Sequence, residues 1–197
     1  MITPRPGSGA PIVGILLAAG SASRFGGAKL LATLPDGTTV GVAALRNLLA
    51  AVDSVIAVVR PGDDTLANAM LASGARVTVC PDAGDGMGAS LAWGVRAAPV
   101  AAGWLVALAD MPWIQPATIK RIADAVRNGA ALVAPRHRDA RGHPVGIAAR
   151  FYAELATLSG DEGARRLVAA HTASLELVAV DDAGVVRDVD TPADLVQ

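Results

Sequence analysis

Residues 12–29 read IVGILLAAGSASRFGGAK: a run of apolar residues from Ile12 to Leu17 passes into a loop of small residues that carries Arg24 and closes on Lys29. An apolar run of this length, stopped by turn residues, predicts a strand buried on both faces. The loop suits a phosphate-rich ligand, because its glycines let backbone N–H groups approach an anion while Arg24 and Lys29 add full positive charge. A nucleoside triphosphate is the expected ligand. Gly20, Gly26 and Gly27 do not make the GxGxxG dinucleotide fingerprint, and Gly26 is followed by Gly27 and Ala28 rather than by the lysine of a Walker A loop. Two plainer readings stay open on this stretch alone. One is an ordinary strand-to-helix turn; the other is a secretory leader with Arg5 as its charged end and Ser21-Ala22-Ser23 as its cleavage site. The apolar stretch is short for a leader, and a Pro/Gly-rich segment precedes it.

Outward from this strand the chain alternates. Val42, Leu45, Leu49 and Val52 predict one face of a helix, Ser54 to Val59 a second strand closed by Arg60-Pro61-Gly62, and Asp64 to Ser73 a helix ended by Gly74. Arg76 to Cys80 reads as a third strand. Met87, Leu91 and Val95 mark a helix at i, i+4 spacing, and Trp104 to Leu108 a strongly apolar strand. Pro116 sits where a first-turn proline belongs, ahead of the buried stripe Ile119, Ile122, Ala123 and Val126 and the stop at Gly129. Ala131 to Ala134 is a further strand. This βαβα order predicts a mostly parallel sheet with right-handed crossovers in a three-layer α/β/α sandwich.

After Pro135 the order changes. Charged residues Arg136 to His143 read as a loop, Val145 to Ala148 as a short apolar stretch, Phe151 to Leu158 and Gly163 to Ala170 as helical patterns, and Leu175 to Val180 as a late strand. Asp188-Val189-Asp190-Thr191-Pro192 opens a short terminal helix. Residues 1–11, rich in Pro, Gly and Ser, are expected to be a disordered tail. Without an internal repeat or linker, residues 12–197 are expected to form one domain, with 12–135 as its nucleotide-binding half and 136–197 as an acceptor-binding elaboration.

Composition agrees with such a core. Of the 197 residues, 52% are apolar with only six aromatic rings, so small and branched aliphatic side chains must fill the space between layers. A formal net charge of -1 gives no field for nonspecific nucleic-acid binding. The single cysteine, Cys80, excludes an internal disulfide and a cysteine-cluster metal site. Residues 97–109 are broken by Pro99 and Gly103 and too short to span a bilayer. A cytoplasmic protein with no membrane partner is expected.

In open α/β sheets ligands bind beyond the carboxyl ends of the strands. Asp110 stands there, directly after the Trp104 to Leu108 strand and Ala109. It could point into the crevice with the glycine loop or merely cap a turn. Asp188 and Asp190 flank Val189 and would project to one side of an extended segment. Alternatively Asp190 or Thr191 caps the last helix. Separated carboxylates with Arg24 and Lys29 make sense as a metal-assisted phosphoryl site, since Mg²⁺ takes oxygen ligands from one or two carboxylates together with substrate phosphates.

The loop LLAAGSASRFGGAKLL resembles the LAAGxSxRxGxxK signature of the nucleotidyltransferase family that includes the molybdenum cofactor guanylyl- and cytidylyltransferases. The likeness continues through Asp82 with GMGASL (residues 86–91), LADMP (108–112), RGHPV (141–145), GDEGAR (160–165) and DVDTPADL (188–195), in order along nearly the whole chain after the tail. The resemblance implies a Rossmann-like nucleotidyltransferase fold. It implies that Arg24, Lys29 and Asp110 act in catalysis, that Leu17, Ala18, Ala19, Gly20, Ser21, Gly26, Lys29, Asp82, Gly86, Met87 and Ser90 bind the nucleotide, and that Asp110 holds Mg²⁺ with a residue of the terminal DVDTP, either Asp190, which is favoured, or Asp188. Arg141, His143, Asp161 and Arg165 would face the acceptor, although His143 could simply orient a loop and Asp161 cap a helix.

Within the family, LAAG at residues 17–20 and GDEGAR resemble the cytidylyl branch, where the guanylyl branch more often reads LAGG. The reaction so implied is transfer of CMP from CTP to the terminal phosphate of molybdopterin, with a recipient molybdoenzyme or its maturation chaperone downstream. Guanylyl transfer to the same acceptor, transfer to another phosphorylated acceptor, and a nucleotide-binding cofactor chaperone without turnover are the alternatives.

Overall fold

The computed structural model describes residues 9–20, 25 and 27–196. Its strands β1 (Ile12–Leu17), β2 (Ser54–Val59), β3 (Arg76–Val79), β4 (Gly103–Leu108), β5 (Leu132–His137), β6 (Ala140–Arg141), β7 (Val145–Ala148) and β8 (Leu175–Ala179) form one sheet. The order is β3-β2-β1-β4-β7-β5-β6, with β8 also on β5. β1 to β4 are mutually parallel, β7 runs antiparallel to both β4 and β5, and β8 is parallel to β5. This is the expected mostly parallel α/β nucleotidyltransferase sheet.

Helices cover both faces, which is why β1 and β2 are apolar along their length rather than alternating. On one face α1 (Val40–Leu49), α2 (Asp64–Ala72) and α4 (Pro116–Arg127) pack Leu45, Leu48, Met70, Ile119 and Ile122 against Ile12, Leu16 and Leu105. On the other, α3 (Met87–Arg96), α5 (Tyr152–Leu155) and α6 (Arg165–Ala170) pack Leu91, Val95, Leu155 and Leu167 against Val13, Ile15 and Trp104. Trp104 is fully buried, and its indole N–H donates to the Ala98 carbonyl at 3.1 Å. Each such large side chain contributes about 2 kcal/mol of burial. The three layers are thus held by two aliphatic cores.

Local differences from the sequence pattern have physical causes. α1 stops at Leu49, so Val52 lies past its end, and Leu48 takes the buried place on that face. Met87 opens α3 at 43% exposure instead of joining the stripe of Leu91 and Val95, because the helix begins there at the edge of a crevice. The charged segment 136–143 is not a free loop: β5 runs on to His137 and folds back through β6, pairing Arg136 with Arg141. Exposed polar side chains hid a strand whose backbone is nonetheless paired. At the other end, the Pro11 carbonyl accepts from Ala102 N–H at 2.8 Å, so chain order reaches back to within the expected tail. Residues 1–8 lie outside the described residues.

Candidate active site

β1 lies between β2 and β4, with Leu17 paired to Val58 on one side and Leu108 on the other. The chain leaves β1 toward β2, whereas β4 enters on the opposite flank. Between β1 and β4 the strand order therefore reverses, and a crevice opens beyond their carboxyl ends. Ala18 N–H donates to Val58 and Ala109 N–H to Leu17, so both post-strand segments leave the sheet from fixed points.

Asp110 follows β4 by two residues, and its Oδ2 accepts from Lys29 Nζ at 2.8 Å. Lys29 begins a single turn of 3-10 helix whose Leu30 and Leu31 pack on the core, which anchors the lysine backbone. The segment around Asp190 returns to the same place. Val189 N–H donates to the Asp110 carbonyl at 2.9 Å, and the fully buried Val189 side chain packs with Leu34 and Val40. Asp190 Oδ1 then lies 3.7 Å from Lys29 Nζ. Asp188 joins the group electrostatically: burial, and then the like charges of Asp190 and Asp110, hold its carboxyl above the usual carboxylate range. Asp194 fixes the turn, accepting from the N–H of Asp190 at 3.1 Å and of Thr191 at 2.7 Å, and from the Thr191 hydroxyl at 2.9 Å. Asp194 thus reaches back over Thr191-Pro192-Ala193 and ties the turn to itself.

His143 comes to the same crevice from the opposite direction. Because β7 is antiparallel, Val145 pairs with Val106 near the carboxyl end of β4, and the residue two places earlier faces Asp110. Burial pulls the His143 imidazole below its ordinary pKa, partly offset by the Val106 carbonyl and the Asp110 charge. Its Nδ1 and Asp110 Oδ1 are buried without a hydrogen-bond partner among the described residues.

Two cavities meet at this point, sharing Leu17, Gly20, Arg60 and Asp110. The smaller, about 180 Å³, adds Ala18, Gly27, Ala28 and Lys29. The larger, about 530 Å³, adds Ala19, Gly86, Met87, Ser90 and Asp161. Gly86 has φ of +113°, and a Cβ there would stand 2.6 Å from the Gly160 carbonyl oxygen. Gly88 N–H donates to that same oxygen at 2.7 Å. The start of α3 and the 158–163 turn are therefore in direct backbone contact, and Asp161 lies on the cavity wall with Gly86 and Met87.

Arg60 was legible in the sequence only as a turn residue. It lines both cavities, with Nε donating to Asp63 at 3.0 Å. Its signal was positional, since it directly follows β2 at the carboxyl edge. The other expected residues scatter more. Asp82 is exposed next to the larger cavity without lining it, Arg141 is exposed on β6, and Arg165 is exposed on α6 and lines neither cavity. Arg24, Ser21 and Gly26 lie outside the described residues.

The donor set fits a divalent metal. Asp110 and Asp190 already share one cation, the Lys29 ammonium, and Asp110 Oδ1 is a buried oxygen with no hydrogen-bond partner among the described residues. Among the described residues no three His, Cys, Asp or Glu side chains form a ready metal cage.

The domain profile described as "MobA-like NTP transferase domain" matches residues 14–175. The chain belongs to this family. It is 32% identical over 189 residues to nicotine blue oxidoreductase of Paenarthrobacter nicotinovorans, covering 91% of this chain and 92% of that protein. It is 29% identical over 192 residues to purine catabolism protein PucB of Bacillus subtilis (strain 168), with 92% of each covered. Among solved structures, Rv0371c from Mycobacterium tuberculosis H37Rv superposes with a TM-score of 0.82 at 34% identity, covering 94% of this chain and 95% of that one. A manganese complex of Rv0371c superposes with a TM-score of 0.74. No helix among the described residues is long and apolar enough to cross a membrane.

Proposed function

We propose that this MobA-like nucleotidyltransferase carries a cytidylyl group from CTP to the terminal phosphate of molybdopterin and releases pyrophosphate. The observation that carries the reading is the cluster of Lys29, Asp110 and Asp190 at the point where strand order reverses. An acceptor phosphate oxygen attacks the α-phosphorus; the bond from that phosphorus to the bridging oxygen of the β-phosphate breaks, and pyrophosphate leaves with the electron pair. A phosphate monoester with its second pKa near 6 is already largely ionised at neutral pH, so no general base is needed. The obstacle is anion meeting anion, which calls for cations in place.

In this reading Lys29, with Arg24 from the loop, holds the triphosphate, and Asp110 with Asp190 holds Mg²⁺. The metal would neutralise phosphate charge as the leaving group departs. Gly86, Met87 and Ser90 border the base or ribose in the larger cavity, with Asp161 on the same wall. His143 and the exposed Arg141 serve the acceptor. The choice of CTP rests on LAAG at residues 17–20 and on GDEGAR.

A second reading comes from the relative named as an oxidoreductase: electron transfer to or from a nucleotide-type cofactor in the same crevice. The carboxylates gathered round Lys29 favour metal and phosphate chemistry over it. The test supplies purified protein, Mg²⁺ and molybdenum-loaded molybdopterin with CTP, GTP, ATP or UTP in turn. Pyrophosphate release with CTP is expected. Release with GTP alone reassigns the base, and turnover of NADH or NADPH with no pyrophosphate release supports the second reading.

A further inference from the structure

Resting on the phosphoryl-transfer reading above, we propose that Lys29 is the counterion that closes the metal site in the nucleotide-free protein, and that the triphosphate opens the site by drawing the lysine away. The two carboxylates that suit a divalent cation already face the Lys29 ammonium, at 2.8 Å from Asp110 Oδ2 and 3.7 Å from Asp190 Oδ1. The lysine side chain is 13% exposed and Asp110 24%, so water screens the contact only in part. A divalent cation placed on these oxygens would meet the ammonium at close range. The ammonium repels an ion bound so close, so each weakens the other's hold on the carboxylates.

The place to which the lysine would go is adjacent. Lys29 lines the smaller cavity with Gly20, Gly27 and Arg60, the surface expected to hold phosphates. Its backbone stays fixed by the packed Leu30 and Leu31, while the four-carbon stem lets the ammonium turn. A triphosphate carries more negative charge than one carboxylate and is the better partner. Once the lysine moves, its charge no longer opposes a divalent ion at Asp110 and Asp190. By linkage, each ligand strengthens the other by one factor. Metal alone binds poorly, and nucleotide without metal must displace the lysine from Asp110.

The test measures Mn²⁺ binding to the full chain without nucleotide, by electron paramagnetic resonance of free Mn²⁺. Lys29→Met is expected to bind Mn²⁺ roughly tenfold more tightly than the native chain, whereas Lys29→Arg stays near native because it keeps the charge. Arg60→Met removes a cavity cation that is paired with Asp63 and is expected to change Mn²⁺ affinity less than about twofold. In the reciprocal arm, with EDTA present, Asp110→Asn removes the nearer of the two carboxylates holding the lysine and should bind CTP more tightly than the native chain. Equal Mn²⁺ affinity in native protein and Lys29→Met, in a variant whose melting is native-like, overturns the proposal while leaving the metal site intact. If Lys29→Met does not fold, the EDTA arm decides: equal or weaker CTP binding by Asp110→Asn overturns it. Absence of Mn²⁺ binding in every variant and of CTP binding in EDTA overturns it together with the transfer reading.

Discussion

The two ends of the sheet deliver their chemistry differently. β1 to β4 are parallel, so all end at the same edge, and Gly20, Arg60 and Asp110, shortly past β1, β2 and β4, stand at the crevice. Beyond β4 the strands run both ways. Antiparallel β7 brings in His143 from its beginning, whereas β8, parallel to β5, sends the chain past its end toward Asp188 and Asp190. Strand direction decides which side of a strand can carry a functional residue. The parallel part supplies a lysine, an arginine and one carboxylate; the mixed part supplies the histidine and two further carboxylates, including the anchored turn at Asp190.

If the parallel half holds the reacting groups, Asp110→Asn should cost the most. Turnover is expected to fall at least ~100-fold with melting little changed. Native turnover in the folded variant would break the assignment. Next comes the seam between the halves. Gly86→Ala forces a side chain at positive φ against Asp161 and the Gly160 backbone, and is expected to destabilise the fold by roughly 2 kcal/mol in urea titration and to weaken CTP binding. Unchanged CTP affinity would show that the seam does not shape the nucleotide cavity.

A smaller effect tests the returning segment. Asp194→Ala removes the carboxylate that holds the Asp190 turn, and Mn²⁺ affinity measured with CTP present is expected to fall roughly tenfold, as for other groups that orient a metal ligand. No change would remove Asp190 from the metal site. The smallest effect lies far from the crevice, where Asp53 accepts from Ile12 N–H at 2.7 Å and from Arg127 at 2.9 Å. Those contacts, the Ile12 N–H foremost, hold its carboxyl below the usual range. A depressed carboxyl pKa stabilises the fold above about pH 4 and loses that contribution as pH falls through the folded value. Asp53→Asn should therefore cost under about 1 kcal/mol at pH 7, discounted for exposure, with the gap closing in acid. Denaturant titration at the two pH values reads it.

The fold was readable because β1, β2 and β4 are buried on both faces and each breaks at a turn signal; Gly74, Gly129 and Pro116 then marked the helix ends. Asp110 was readable for the same reason, as a carboxylate directly after an apolar strand. The antiparallel insertion of β7 was not, since Val145 to Ala148 is apolar in either direction and pairing partners leave no mark in periodicity. The resemblance groups Asp161 with the acceptor-facing GDEGAR segment; the backbone contact of Gly86 and Gly88 with Gly160, which leaves no mark in periodicity, puts it on the wall of the larger cavity. Arg60 was read as punctuation, although its place after β2 gave the same positional signal as Asp110.

The most direct test follows the α-phosphate. With CTP labelled at that phosphate, Mg²⁺ and molybdopterin, the account expects label to enter a molybdopterin dinucleotide in step with one pyrophosphate per label, and expects Asp110→Asn to abolish both. Label left in CTP, or recovered as free CMP without a dinucleotide, would contradict it.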